Sequence, residues 1–197
     1  MSKGQATRHA VLDRAVALAS RVGLDGLTIG ALAEDVDLSK SGLFAHFRSK
    51  EALQIQILEH AAATFVDFVV RPALAAPRGL PRVRALFERW LEWTRSGPMP
   101  GGCLFVAAAT ELDDQPGPAR DRLEQLQRDW LGVIATSFRK AVEEGHFRPD
   151  ADAEQFAQDL YGVALAYHHA HRLLHDARAG ERARRGFEAL VAAARTP

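Results

Sequence analysis

Seventeen consecutive residues, Asp37-Leu38-Ser39-Lys40-Ser41-Gly42-Leu43-Phe44-Ala45-His46-Phe47-Arg48-Ser49-Lys50-Glu51-Ala52-Leu53, restrict this chain more than any other stretch. They hold two capping serines, Ser39 and Ser49, each followed by a run that suits a helix. Between the caps there is room for only one short helix, over residues 40–47. Leu43 and Phe47, four apart, give it a narrow apolar face, which leaves Lys40, Ser41, Ala45 and His46 outside. Upstream, Thr7 is a candidate cap for a first helix carrying Val11, Leu12, Ala15, Val16, Leu18 and Ala19, which stops near Gly23. Thr28 is placed to cap a second short helix with Ile29, Leu32, Ala33 and Val36 inward. The fourth helix, after Ser49, carries Ala52, Leu53, Ile57, Leu58, Ala61 and Phe65. Two short helices joined at Asp37-Leu38 behind a supporting first helix spell a helix-turn-helix, although a small helical hairpin in any bundle shares part of the pattern.

The residues that carry this unit also carry a resemblance. Thr28-Ile29-Gly30-Ala31-Leu32-Ala33, then Leu38 to Phe47, then Ser49-Lys50-Glu51-Ala52-Leu53, resemble the tetracycline-repressor-like (TetR/AcrR) family of bacterial regulators. The likeness covers about the first quarter of the chain well and the remainder only in length and helical layout. It implies a DNA-binding transcriptional regulator, acting as a homodimeric repressor of a palindromic operator and released by a small, largely apolar ligand.

The rest of the chain is compatible with an all-α protein of about nine helices. Its 197 residues can bury a sizeable core, its prolines and glycines fall mostly at segment ends, and no alternating β-branched run occurs. Helices are expected over 50–70, 80–95, 102–113, 118–144, 152–175 and 180–195, with Pro72, Pro77, Pro98 and Pro100 breaking the gaps and Gly117-Pro118 opening the longest. The expected division is a helix-turn-helix DNA-binding domain over 1–50 and a helical ligand-binding and dimerisation domain over 51–197. Net charge is zero, which argues against binding nucleic acid through bulk positive charge. Residues 1–50 hold seven basic and five acidic side chains, a balance of +2, and the remainder −2. DNA affinity would therefore come from a few placed contacts and from dimerisation. Cys103 is the only cysteine, so no disulfide forms within the chain. No signal-peptide core and no apolar run of membrane-spanning length is evident, so a cytoplasmic protein without membrane contact is expected.

If the third helix enters a major groove, Lys40 can donate to guanine N7 and O6, and Ser41 can serve several base edges. Gly42 and Ala45 permit close approach, and Ala45 can touch a thymine methyl. Phe44 suits the sugar-phosphate wall, where the family more often has a tyrosine, so one phosphate hydrogen bond is missing. Ser39 caps the reading helix, and the resemblance implies phosphate contacts from Thr28, His46 and Lys50. Lys40 as a plain surface lysine and His46 as a helix-end residue are the bland alternatives.

In the body, Phe65, Phe68, Trp90, Trp93, Phe105 and Trp130 with Thr94, Cys103, Thr110, Glu111 and Tyr161 suit a small apolar ligand, but aromatics at helical spacing equally make ordinary core. Phe156, Leu160, Val163, Tyr167 and Leu174 on one terminal helix, and Phe187, Leu190, Val191 and Ala194 on the other, form stripes too dense for a small core. In the resembling family such a pair builds a two-fold four-helix interface, and heads so paired would stand about 34–36 Å apart or somewhat more. His168, His171 and His175 share helical spacing but have no acidic or cysteine companion at good spacing and include Arg172, so no metal site is expected there. Cys103 follows Gly101-Gly102 at a helix start that could activate a thiol; a buried structural thiol is the alternative. No cofactor is expected. A helical-body enzyme using Cys103 and Glu111 has no phosphate loop or nucleophile motif behind it. A partner-binding protein with a degenerate head is the third reading.

Overall fold

The computed structural model describes residues 3–96 and 99–195, with the side chains of residues 3–6 and 96 outside that description. Pro98, one of the expected chain breakers, lies outside the described residues. Ten α-helical segments are found among the described residues: α1 (Lys3–Val22), α2 (Ile29–Asp35), α3 (Lys40–Phe47), α4 (Lys50–Phe65), α5 (Arg71–Leu74), α6 (Leu80–Ser96), α7 (Leu104–Leu112), α8 (Pro118–Glu143), α9 (Ala153–Arg172) and α10 (Ala179–Ala194). A π turn, Val66–Val70, joins α4 to α5, so they form one continuous helix and the rods number nine among the described residues, in accord with the all-α expectation.

Two differences from the sequence reading have local causes. The first helix begins at Lys3, so Thr7 lies inside it and does not cap it. The helix after Ser49 does not stop before Pro72. Proline has no N–H, and its ring would strike the carbonyl four residues back in a regular α-helix. The chain meets this demand by widening: Arg71 N–H bonds to Val66 O, five residues back, and Pro72 enters the first turn of α5. The resulting rod, Lys50–Leu74, is 25 residues long with a mean hydropathy of 1.2, long and apolar enough by length and composition to cross a bilayer. That corrects the reading that no run reaches such a length. Nearly half of its apolar window is buried, as in a core helix: Leu53, Ile57, Leu58 and Ala61 are fully packed, as are Val69 and Ala73.

The chain divides into two compact units, Met1–Thr64 with Ser96–Leu126 and Phe65–Arg95 with Gln127–Pro197. In the first, α1, α2, α3 and the start of α4 bury Ala15, Ala19, Leu24, Leu32, Leu43, Phe47 and Ile57, and α7 adds Leu104 and Ala108. The backbone of Gly101 passes against α1: its N–H donates to Ser20 Oγ at 2.9 Å, and a Cβ there would sit 1.6 Å from Ser20 O. In the second unit, Phe87 stacks on Phe187 at 4.5 Å, and Phe138 lies 4.5 Å from Phe147 and 4.4 Å from Phe156. Arg84 to Glu188 and Arg184 to Glu88 tie α6 to α10 along the rim.

Two glycine substitutions should have opposite signs. Gly101→Ala forces a methyl into the Ser20 carbonyl and is expected to cost about 2–3 kcal/mol by urea denaturation. Gly132→Ala, in the exposed interior of α8 with nothing near the new methyl, is expected to stabilise by about 0.5–1 kcal/mol.

Candidate nucleic-acid interface

Helices α2, α3 and α4 are each started by a side-chain cap. Thr28 Oγ1 accepts from Ala31 N at 3.0 Å, Ser39 Oγ accepts from Gly42 N at 3.0 Å, and Ser49 Oγ accepts from Ala52 N at 3.0 Å. Such caps satisfy N–H groups that helices of seven or eight residues could not spare. The turn between α2 and α3 closes through Leu38 N–H to Ala33 O at 2.9 Å, with Asp37 at φ 53°, a left-handed conformation that aspartate tolerates. At the far end of α3, Arg48 takes φ 64° and its N–H returns to Phe44 O at 2.8 Å.

This frame sorts α3 by face. Leu43 and Phe47 are buried, while Lys40, Ser41, Phe44, Ala45 and His46 are exposed and Gly42 is half-buried. More than half of the Phe44 surface is open to solvent, at 53%. Ser39 and Thr28, both exposed, have their hydroxyls engaged as caps. The Lys40 stem runs beside Gly30, its Cε 3.2 Å from where a Cβ on that glycine would be. An open groove on this side is lined by Thr28, Gly30, Ala31, Glu34, Leu38 and Lys40. Gly30 and Ala31 lay within the quoted motif without a role; the acidic Glu34 in this groove had no signal in the sequence.

Lys50 is already engaged. Its Nζ donates to Asp25 O at 2.8 Å and lies 3.4 Å from Asp25 Oδ1. Gln54 and Gln115 also donate to the Asp25 carboxylate, at 3.0 and 3.1 Å. The Gln115 bond, and then those from Lys50 and Gln54, hold the Asp25 carboxyl below its ordinary pKa against a smaller desolvation effect in the opposite sense. Beside it Glu111 Oε2 accepts from Leu24 N at 2.8 Å and Asp25 N at 3.2 Å. This arrangement fits only because residue 23 is glycine, at φ 81°, with no side chain to meet the Glu111 carboxylate 2.0 Å away.

The expected ligand residues fall into two sets. Phe65, Phe68, Trp90, Trp93, Thr94, Trp130 and Tyr161 belong to the second unit; Cys103, Phe105, Thr110 and Glu111 belong to the first. In the second unit the Phe65 ring is edge-on to Trp93 and Trp130, at 5.3 and 4.9 Å, and Phe68 lies 5.7 Å from Trp93. Trp93 Nε1, Thr94 Oγ1 and Trp130 Nε1 are buried with no hydrogen-bond partner. In the first unit Thr110 is exposed, and Glu111 Oε2 is engaged by the backbone amides of Leu24 and Asp25. Cys103, at the start of α7, is buried.

The terminal stripes are placed differently from their expected role. Phe156, Leu160, Tyr167, Phe187, Val191 and Ala194 are buried inside the second unit of a single chain. Val163 and Leu190 are half-buried, the former against Gly186, and Leu174 is exposed. The premise that one chain cannot hide these stripes is corrected by Phe87, Phe138, Phe147 and Trp90, which cover them. Helix α9 ends at Arg172 and His175 takes φ 50°, so the helical spacing of His171 and His175 is broken. His171 stacks on Tyr167 at 5.4 Å, and burial lowers the pKa of both His168 and His171.

A capped two-helix reader with an exposed polar face on a helical body defines a helix-turn-helix regulator. The comparisons with known proteins then specify it. Residues 11–57 match the family model described as bacterial regulatory proteins, tetR family, and residues 79–187 match the tetracyclin repressor-like C-terminal domain. The transcriptional repressor KstR2 of Mycobacterium tuberculosis is 26% identical over 170 residues, 82% of this chain and 80% of that protein. The repressor NemR of Escherichia coli K12 is 24% identical over 162 residues, 81% and 80%. A TetR regulator from Chloroflexus aurantiacus superposes with a TM-score of 0.86 at 25% identity, covering 98% of this chain and 96% of that one. This chain belongs to the TetR family of DNA-binding transcriptional repressors, and it is a regulator, not an enzyme.

A depressed carboxyl stabilises the fold above the ordinary aspartate pKa of about 3.9, and that contribution is lost as pH falls through the lower folded value. Wild-type protein is therefore expected to lose stability more steeply than Asp25→Asn on acidification below about pH 4, read as urea midpoints across a pH series.

Proposed function

We propose that the chain acts as a homodimer that represses from a palindromic operator and leaves it when a small, largely apolar ligand enters the body. The exposed polar face of α3, fixed by the Ser39 cap and by the burial of Leu43 and Phe47, carries this reading. Lys40 and Ser41 read base edges, and Gly42 and Ala45 let the helix approach. Thr28, Phe44 and His46 bear on the backbone and set register, with Ser39 fixing the helix start. Lys50 serves mainly as the clamp on Asp25, and the third proton of its ammonium is left for a phosphate. The working division is a DNA-binding domain over 1–50 and a ligand-binding and dimerisation domain over 51–197, in a cytoplasmic protein.

The ligand site is placed at Phe65, Phe68, Trp90, Trp93, Thr94, Trp130 and Tyr161. Two buried indole N–H groups and a hydroxyl without partners favour a ligand that brings hydrogen-bond acceptors on an otherwise apolar frame. Cys103, Phe105, Thr110 and Glu111 are left out of that set, because they lie in the other unit and Glu111 is otherwise engaged. Dimerisation is assigned to the outer surface of α9, α10 and the turn just after α9, where Leu165, Leu173 and Leu174 are exposed and Ala166, Ala189 and Ala193 allow close approach. The half-buried Val163 and Leu190 flank it, and the buried stripe residues support it from beneath. The ligand acts only through its differential affinity for the DNA-competent and released shapes.

Selection of the purified full chain on randomised duplex DNA tests this. A palindrome should emerge whose binding weakens steeply with salt, and Lys40→Ala should lower affinity for it by about 1–3 kcal/mol while relaxing preference at one position per half-site. Folded protein that enriches no sequence at any salt, or an unaltered Lys40→Ala, would contradict it.

A further inference from the structure

The histidines near the end of α9 are not expected to bind metal, and the ligand atoms that gather lie elsewhere. Asp13 follows His9 by one helical turn on α1, and His60 reaches toward both from α4. The ligand atoms of His9, Asp13 and His60 all fall within 4.8 Å of one another. His60 Nε2 is 2.7 Å from Asp13 Oδ1, and the His9 and His60 rings meet edge to face with centroids 4.5 Å apart.

From this convergence we infer that His9, Asp13 and His60 form a binding site for a divalent transition cation of the Zn²⁺ and Ni²⁺ class, joining α1 to α4. Two imidazoles and one carboxylate are a donor set for such ions, and three protein ligands leave a further position for water. The spacing is near what coordination requires. Two ligands on a tetrahedral ion with bonds of about 2.05 Å stand about 3.3 Å apart, so the His60–Asp13 pair opens slightly and the wider pairs draw in. The helices need not move for this. Ile57 and Ala61 of α4 and Val11 and Ala15 of α1 are buried, which fixes the two backbones, while the His9 and Asp13 side chains are exposed and can rotate. The His60 side chain is only 10% exposed, so it is the preset member of the three. Arg8 and Arg14, the cations adjacent in sequence to His9 and Asp13, are directed elsewhere, to Gln56 Oε1 at 2.5 Å and to the Asp35 carboxylate at 2.8 Å. A His60–Asp13 hydrogen bond by itself would account for two members of the group, but it gives no role to the His9 imidazole beside them.

The test is calorimetric titration of the full chain, prepared without a histidine tag, with ZnCl₂, and with Co²⁺ read by visible absorption. One equivalent of metal should bind per chain and raise the melting temperature. His9→Ala, at an exposed position that leaves the His60–Asp13 bond in place, should weaken binding at least tenfold and abolish the thermal shift; Asp13→Asn should weaken it similarly. A His168→Ala/His171→Ala double variant should bind as wild type does. Absence of uptake, uptake undiminished in His9→Ala, or uptake lost only in the His168/His171 double variant would overturn the assignment. None of these readouts involves DNA, so the result stands or falls independently of the operator reading.

Discussion

The acceptance of the Leu24 and Asp25 amides by Glu111 is the contact on which the first unit depends. The turn after α1 carries two N–H groups, that of Leu24 part-buried and that of Asp25 exposed, and a buried donor without a partner costs about 1–3 kcal/mol. Glu111, on α7, satisfies both with one oxygen. Gln115, one turn further on, and Lys50 and Gln54, from α4, converge on Asp25 in the same turn. Two helices distant in sequence, α4 and α7 with the residues just after it, thus meet on Leu24 and Asp25, and Gly23 is the vacancy that lets the carboxylate in. Because α2 and α3 follow directly from this turn, the angle at which the reading helix leaves the unit is set here.

That dependence changes what several residues are for. Lys50 and Glu111, candidates for phosphate and ligand respectively, have polar atoms committed to holding the turn. Helix α7 belongs to the same compact unit as the helix-turn-helix. A displacement of α7 would therefore carry Glu111 away from Leu24 and Asp25. The unpartnered donors of Trp93, Thr94 and Trp130 mark where the second unit has polar groups left over after packing. Polar groups left over in an aromatic cluster are a cost to the unliganded fold, and an acceptor-bearing ligand would remove it.

The parts of the molecule legible in the sequence were those whose physics is local. Thr28, Ser39 and Ser49 cap because a hydroxyl reaches an N–H three residues on, and that offset is visible in the chain. Leu43 and Phe47 point inward because four residues make about one helical turn, and the proline and glycine breaks fixed most helix ends to within a residue or two. What escaped was non-local. Glu111 and Leu24 are 87 residues apart, and nothing in either neighbourhood announces the other. Phe187 finds its cover on Phe87 and Phe156 on Phe138, so stripes that looked too large for one chain are matched within it. The π turn before Pro72 escaped for a different reason. Proline forbids a regular helix, and the sequence did not reveal that one widened turn would satisfy the prohibition without ending the rod.

Glu111→Ala separates a turn that organises the reader from one that merely adjoins it. The deciding quantity is the variant's affinity for the selected duplex, measured across a salt series beside wild type. Glu111 contacts backbone amides and no phosphate in this account, so affinity should fall while the slope of affinity against salt stays the same. Unchanged affinity in a folded Glu111→Ala protein would contradict the claim that this contact presents the helix-turn-helix to DNA.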